Sequence, residues 1–99
     1  MLRKRFFKTK EECEVTFELA AEEASRAELF CDVNGWQPIQ MKKVRKGPFR
    51  TKLRFPKESS FEFRYLVDDR RWINDDAADA YRPNGLGGEN CVLDTAVRA

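Results

Sequence analysis

Apolar and polar residues alternate strictly through three segments of this chain, which allows little besides a half-buried antiparallel sheet. Cys13, Val15, Phe17 and Leu19 alternate with Glu12, Glu14, Thr16 and Glu18. Phe49, Thr51, Leu53 and Phe55 alternate with Arg50, Lys52 and Arg54. Phe61, Phe63, Tyr65 and Val67 alternate with Glu62, Arg64, Leu66 and Asp68. A side-chain period of two turns one face of each strand to a core and the other to water. Shorter runs at 27–33, 38–45 and 91–95 predict further strands, and residues 3–9 predict one at the N-terminus. Asn34-Gly35, Lys46-Gly47-Pro48, Pro56-Lys57-Glu58-Ser59 and Asp68-Asp69 supply the turns. Short strands spaced by about 8–12 residues predict an all-β fold, an antiparallel β-sandwich.

Two segments depart from this rhythm. Residues 20–27 have high helix propensity but are too few to hold a helix unaided, and predict a loop with at most one helical turn. Residues 75–89 read as one long irregular connection, a length at which loops are usually functional or disordered.

The whole chain, 1–99, fits one domain, with 1–12 a basic N-terminal strand or arm. No apolar run approaches the roughly 20 residues a bilayer needs, and Met1–Lys8 has charge without an apolar h-region. The expected location is therefore cytoplasmic, with no membrane partner. Cys13, Cys31 and Cys91 are odd in number and lack a Cys-x-x-Cys pair, so they read as small apolar residues in a reducing compartment.

Histidine is absent, which removes the commonest general base, the Ser–His and Cys–His pairs, and most zinc chemistry. Neither a metal nor another cofactor is expected. Asp75-Asp76 suggest glycosidase carboxylates, but that reaction needs two carboxyls about 5–10 Å apart across a cleft, for which a domain this small has little room. The expected protein is not an enzyme. Basic residues interleaved with aromatics, as in Arg3-Lys4-Arg5-Phe6-Phe7-Lys8, raise a single-stranded nucleic acid. Seventeen acidic residues spread among 19 basic ones favour a solvated face instead, and no nucleic-acid partner is expected.

Trp36 follows Asp32-Val33-Asn34-Gly35, and Trp72 lies between Arg70-Arg71 and Ile73-Asn74-Asp75-Asp76. Both settings are polar and turn-forming, so both indoles are expected on loops or strand ends, on a wet rim. An exposed indole is an apolar plate suited to a flat, partly apolar ligand. Taken alone, Trp36 is evenly balanced between rim packing and ligand stacking, while Trp72 leans to packing, since a tryptophan near a sheet edge often covers the core. If Phe63 and Tyr65 point inward, Arg64 points out, and its strand leads through Asp68-Asp69 to Trp72. Taken singly, Arg64 is a solvated cation, Asn90 a residue satisfying backbone groups, and Leu86 an apolar residue on a glycine-rich loop. Together they suit a pyranose: aromatic plates take its C–H face, while Arg and Asn replace the water around its hydroxyls.

Four motifs, in order and spacing, then resemble a known family: Glu28-Leu29-Phe30-Cys31-Asp32-Val33-Asn34-Gly35-Trp36, Phe61-Glu62-Phe63-Arg64-Tyr65-Leu66-Val67-Asp68, Arg71-Trp72-Ile73-Asn74-Asp75 and Gly85-Leu86-Gly87-Gly88-Glu89-Asn90. Over residues 13–95 the chain looks like carbohydrate-binding module family 48, the early-set domain of isoamylases and glycogen-branching enzymes. It is also similar to the glycogen-binding domain of the AMP-activated protein kinase β subunit. The resemblance implies an immunoglobulin-like sandwich binding an α-1,4-glucan polysaccharide or oligosaccharide without catalysis. By motif, the ligand residues fall on Trp36, Arg64, Trp72, Leu86 and Asn90. The basic residue is Arg rather than Lys, the turn before Trp72 is one residue longer, and Gly88 replaces a hydroxyl residue. The alternative expectation is an early-set interaction module that docks on a separate α-glucan-metabolising enzyme.

Overall fold

The computed structural model describes residues 1–21 and 23–97. The strands are β1 (Leu2–Phe6), β2 (Glu12–Leu19), β3 (Ala27–Cys31), β4 (Ile39–Gln40), β5 (Lys42–Lys43), β6 (Phe49–Pro56), β7 (Ser60–Val67), β8 (Arg71–Ile73), β9 (Ala80–Pro83) and β10 (Glu89–Asp94). Sheet A runs β1-β2-β6-β5 and sheet B runs β4-β3-β7-β10-β9, with β8 also on β7. Every pairing is antiparallel. The two sheets pack face to face as an immunoglobulin-like β-sandwich. Among the described residues no helix is long and apolar enough to cross a membrane.

The alternation builds the core between the sheets. Sheet A turns in Cys13, Val15, Phe17, Leu19, Phe49 and Phe55, and sheet B turns in Leu29, Cys31, Phe63, Tyr65, Val67 and Leu93. Phe17 meets Phe63 across the sandwich edge-on, at 5.2 Å between ring centroids. Cys13, Cys31 and Cys91 are buried free thiols within this core. Glu18, which parity places on the wet face, is nevertheless buried because Arg3 and Arg50 close over its carboxylate, each at 2.9 Å.

The structure redraws several expected elements. The run at 27–33 stops at Cys31 and turns into a 3-10 helical turn at Asp32–Asn34. Asp32 Oδ1 there accepts the Glu62 N–H at 3.1 Å, and Gly35 leaves at φ 72°, a left-handed geometry that favours glycine. The run at 38–45 is two short strands, because the chain crosses between sheets at buried Met41, whose N–H donates to Ala27 O at 2.9 Å. Within 20–27 the described residues form turn and bend before β3, and Glu22 lies outside the described residues.

The connection at 75–89 is not wholly irregular: β9 pairs Tyr81 with Cys91 and Arg82 with Asn90. As an edge strand exposed at all four residues, β9 needs no apolar alternation, and Pro83 sits where an edge tolerates it. Trp72 is the middle residue of the three-residue strand β8. Asp68 and Asp69, at φ 51° and 60°, fold the chain tightly enough for β8 to pair with β7 at Tyr65, Leu66 and Val67. Asp68 Oδ1 also accepts the N–H groups of Ser25 and Arg26 at 2.8 and 3.0 Å, and these donors hold its carboxyl below its ordinary range.

Candidate functional site

The site is organised by a seam on β7. One side of β7 pairs with β3 over residues 63–67. Its other side pairs first with β10, over Ser60–Phe63, and then with β8, over Tyr65–Val67. Arg64 falls where one partner strand gives way to the other. Phe63 and Tyr65 are fully buried, so parity directs Arg64 to the outer face of sheet B.

Trp72 pairs with Leu66 and remains 47% exposed. The Arg64 guanidinium lies 5.5 Å from the centroid of its ring, a cation–π contact. Phe30, opposite Arg64 on β3, meets the indole edge-on at 5.0 Å. Asn74, just past β8, accepts Arg64 Nε at Oδ1 (3.0 Å) and donates from Nδ2 to Glu89 O (2.9 Å). Arg64 is thus fixed from two sides, by a ring and by a carboxamide that is itself anchored to β10.

Extending the β7–β10 register by one residue places Asn90 beside Arg64. Its Nδ2 donates to Glu62 Oε1 at 3.1 Å, while Arg82 pairs with Glu62 Oε2 at 3.4 Å. Trp72, Arg64 and Asn90 therefore share one face, joined by Phe30, Asn74 and Glu62. Parity places Phe30 on this face, since Leu29 and Cys31 flank it in the core. For Asn74 the sequence carries no signal, because its contact exists only once β8 folds back on β7.

Trp36 and Leu86 lie on separate turns, and among the described residues no ring contact or hydrogen bond joins either side chain to Trp72 or Arg64. Trp36 is 38% exposed. It follows the 3-10 turn at φ 65°, its N–H donating to Cys31 O at 3.0 Å. Asn34 bonds both the N–H and the carbonyl of Gln37, closing the turn that presents the indole. The Trp36 N–H thus meets Cys31, which pairs with Phe63, whereas Trp72 pairs with Leu66, so the two tryptophan backbones are offset along β7 by roughly 10 Å at about 3.4 Å per residue.

Leu86, 89% exposed, tops the β9–β10 hairpin at the end of β10 nearer β8. Asn84 Oδ1 shapes this loop by accepting the N–H groups of Leu86 and Gly88 at 2.8 and 3.2 Å. A Cβ at Gly88 would lie 3.3 Å from Asn84 Nδ2, which gives a steric reason for glycine there.

An open cleft of about 860 Å³ at one end of the sandwich includes Asn74, Asp75 and Asp76 but none of the five residues above. Asp75 is committed to structure: its carboxylate accepts the Tyr65 hydroxyl and the Ala77 N–H, each at 2.8 Å, and its carbonyl accepts the Tyr81 hydroxyl. The outer face of sheet B thus offers an apolar plate, a pinned guanidinium and two carboxamides, a set suited to holding a polyhydroxylated ring. No protein-family model matches the chain, and no curated protein matches it.

Proposed function

We propose that this domain is a non-catalytic α-1,4-glucan-binding module of the cytoplasm, its ligand glycogen, starch or a maltooligosaccharide. The observation that carries the reading is the half-exposed Trp72 indole with Arg64 held against it by Asn74. Trp72 stacks on one sugar face and Trp36 supplies a second plate farther along β7, a span suited to an oligosaccharide. Arg64 and Asn90 bond hydroxyls, and Leu86 packs into the inner curve of the glucan helix. The resemblance of four sequence motifs to carbohydrate-binding module family 48 supports the same reading. Three buried, unpaired thiols fit a reducing compartment.

A shallow site with few contacts implies a maltoheptaose Kd of roughly 10 μM to 1 mM, or about −4 to −7 kcal/mol. Titration calorimetry on wild type and Trp72→Ala tests this. The expected result is at least a tenfold loss of affinity in the variant, about 1.4 kcal/mol, with its amide spectrum otherwise native. Equal affinity in both proteins, or binding in neither, overturns the reading.

A further inference from the structure

Sheet A ends at β1, and among the described residues β1 pairs only with β2. Met1 O accepts the Glu18 N–H and the Phe7 N–H donates to Glu12 O, so the odd-numbered residues of this segment bond to β2. The backbone groups of Leu2, Lys4 and Phe6 consequently point away from the sheet. Such a row is a template for another strand. The other sheet edges suit this less well: β4 and β5 have two residues each, and β9 ends on Pro83. β1 has five residues, with neither proline nor positive φ.

Charge decides what can pair there. Arg3 and Arg5 are exposed on the outer face, and between them Lys4 turns inward to Asp79 at 2.6 Å. An antiparallel second copy centred on Lys4 would set Arg3 against Arg5 and Lys4 against Lys4, like charges directly opposite one another. Self-pairing is therefore disfavoured. Arg3 has Glu18, but Arg5 meets no carboxylate within ion-pair distance among the described residues and lies 5.3 Å from the Phe7 ring. Lys10 approaches the same ring at 5.9 Å, as does Arg54 at 4.9 Å, itself 3.8 Å from a Glu12 carboxylate oxygen.

We propose that β1 docks an extended acidic segment of a partner protein, added as a further strand of sheet A with carboxylates at alternate positions against Arg3 and Arg5. The free backbone row favours a peptide over a nucleic acid, since an extended peptide continues the hydrogen-bond ladder of the sheet and a phosphate chain has no N–H groups with which to do so. This surface is on the opposite sheet from Trp72 and stands independently of glucan binding.

A short capped peptide alternating Glu and Thr, with a Lys/Thr counterpart as control, is titrated into the protein and followed by amide NMR. Saturable shifts and slowed hydrogen exchange are expected at Leu2, Lys4 and Phe6, with at least a tenfold preference for the acidic peptide. Arg5→Glu reverses that preference. Lys4→Pro, which deletes an outward N–H while sparing the β2 ladder, abolishes binding, and Lys4→Gln retains it. Absence of saturable shifts, shifts confined to sheet B, or an unchanged preference in Arg5→Glu overturns the proposal. So does displacement of the peptide by an oligouridine, or dimerisation of the chain through β1.

Discussion

Phe63→Ala is expected to destabilise the domain by about 3–5 kcal/mol, read as a shift of the denaturant midpoint at unchanged slope. Phe63 is fully buried, 5.2 Å from the Phe17 ring of the opposite sheet and 5.7 Å from Tyr65, edge-on to both. Its strand is paired to β3, β8 and β10, so the backbone cannot settle into the space the ring leaves. Domains of this size have roughly 5–15 kcal/mol in total, and the loss is a large share of it. The proposed glucan face hangs on the same strand, yet the two effects separate. Phe63→Ala should bind maltoheptaose normally wherever it remains folded, whereas Trp72→Ala should fold and not bind. A midpoint shift worth under about 1 kcal/mol would mean that the two sheets do not depend on this ring.

Where one face of a strand is buried and the other wet, the sequence states it. That is why β2, β6 and β7 were legible as alternating runs, and why parity alone sent Phe63 and Tyr65 inward and Arg64 outward. β9 was illegible for the converse reason. An edge strand exposed on both faces has no hydrophobic constraint, so residues 80–83 look like loop. β4 and β5 merged into one run because the change of sheet at Met41 needs only a single buried side chain and leaves no turn signature. In the site, exposure of both indoles follows from their polar surroundings, but the strand that carries Trp72 does not. Three β8 residues between Arg70 and Asn74 are too few to show a period. The contact between Arg64 and Trp72 depends on how tightly Asp68 and Asp69 turn, and that tightness appears only in their left-handed backbone angles.

Alkaline pH should unfold this domain sooner than an equally stable one without buried thiols. Burial pushes the Cys31 thiol from an ordinary 9.0 up to about 12, and desolvation also raises Cys13 and Cys91. Tyr65 is raised well above its ordinary 10.0, first by desolvation and then by the Asp75 carboxylate that its hydroxyl contacts. These acids stay protonated in the folded state while the unfolded chain releases its protons, so their influence is absent below pH 9 and grows as pH rises. Each group lowers stability by about 1.4 kcal/mol per pH unit between its unfolded and folded pKa. Across the Cys31 window alone the loss reaches about 4 kcal/mol, and Tyr65 steepens the slope beyond pH 10. Chemical denaturation at closely spaced pH should therefore give a curve that is flat near neutrality and falls ever more steeply above pH 9. The absorbance of the Tyr65 tyrosinate and the Cys31 thiolate should appear together with unfolding rather than ahead of it. Cys31→Ala is less stable at pH 7 because it leaves a small void, but its slope between pH 9 and 10 should be shallower than that of wild type, and Tyr65→Phe should be shallower only above pH 10. Parallel curves for wild type and Cys31→Ala across that range would mean the thiol ionises as readily in the fold as out of it, which its complete burial between the sheets does not permit.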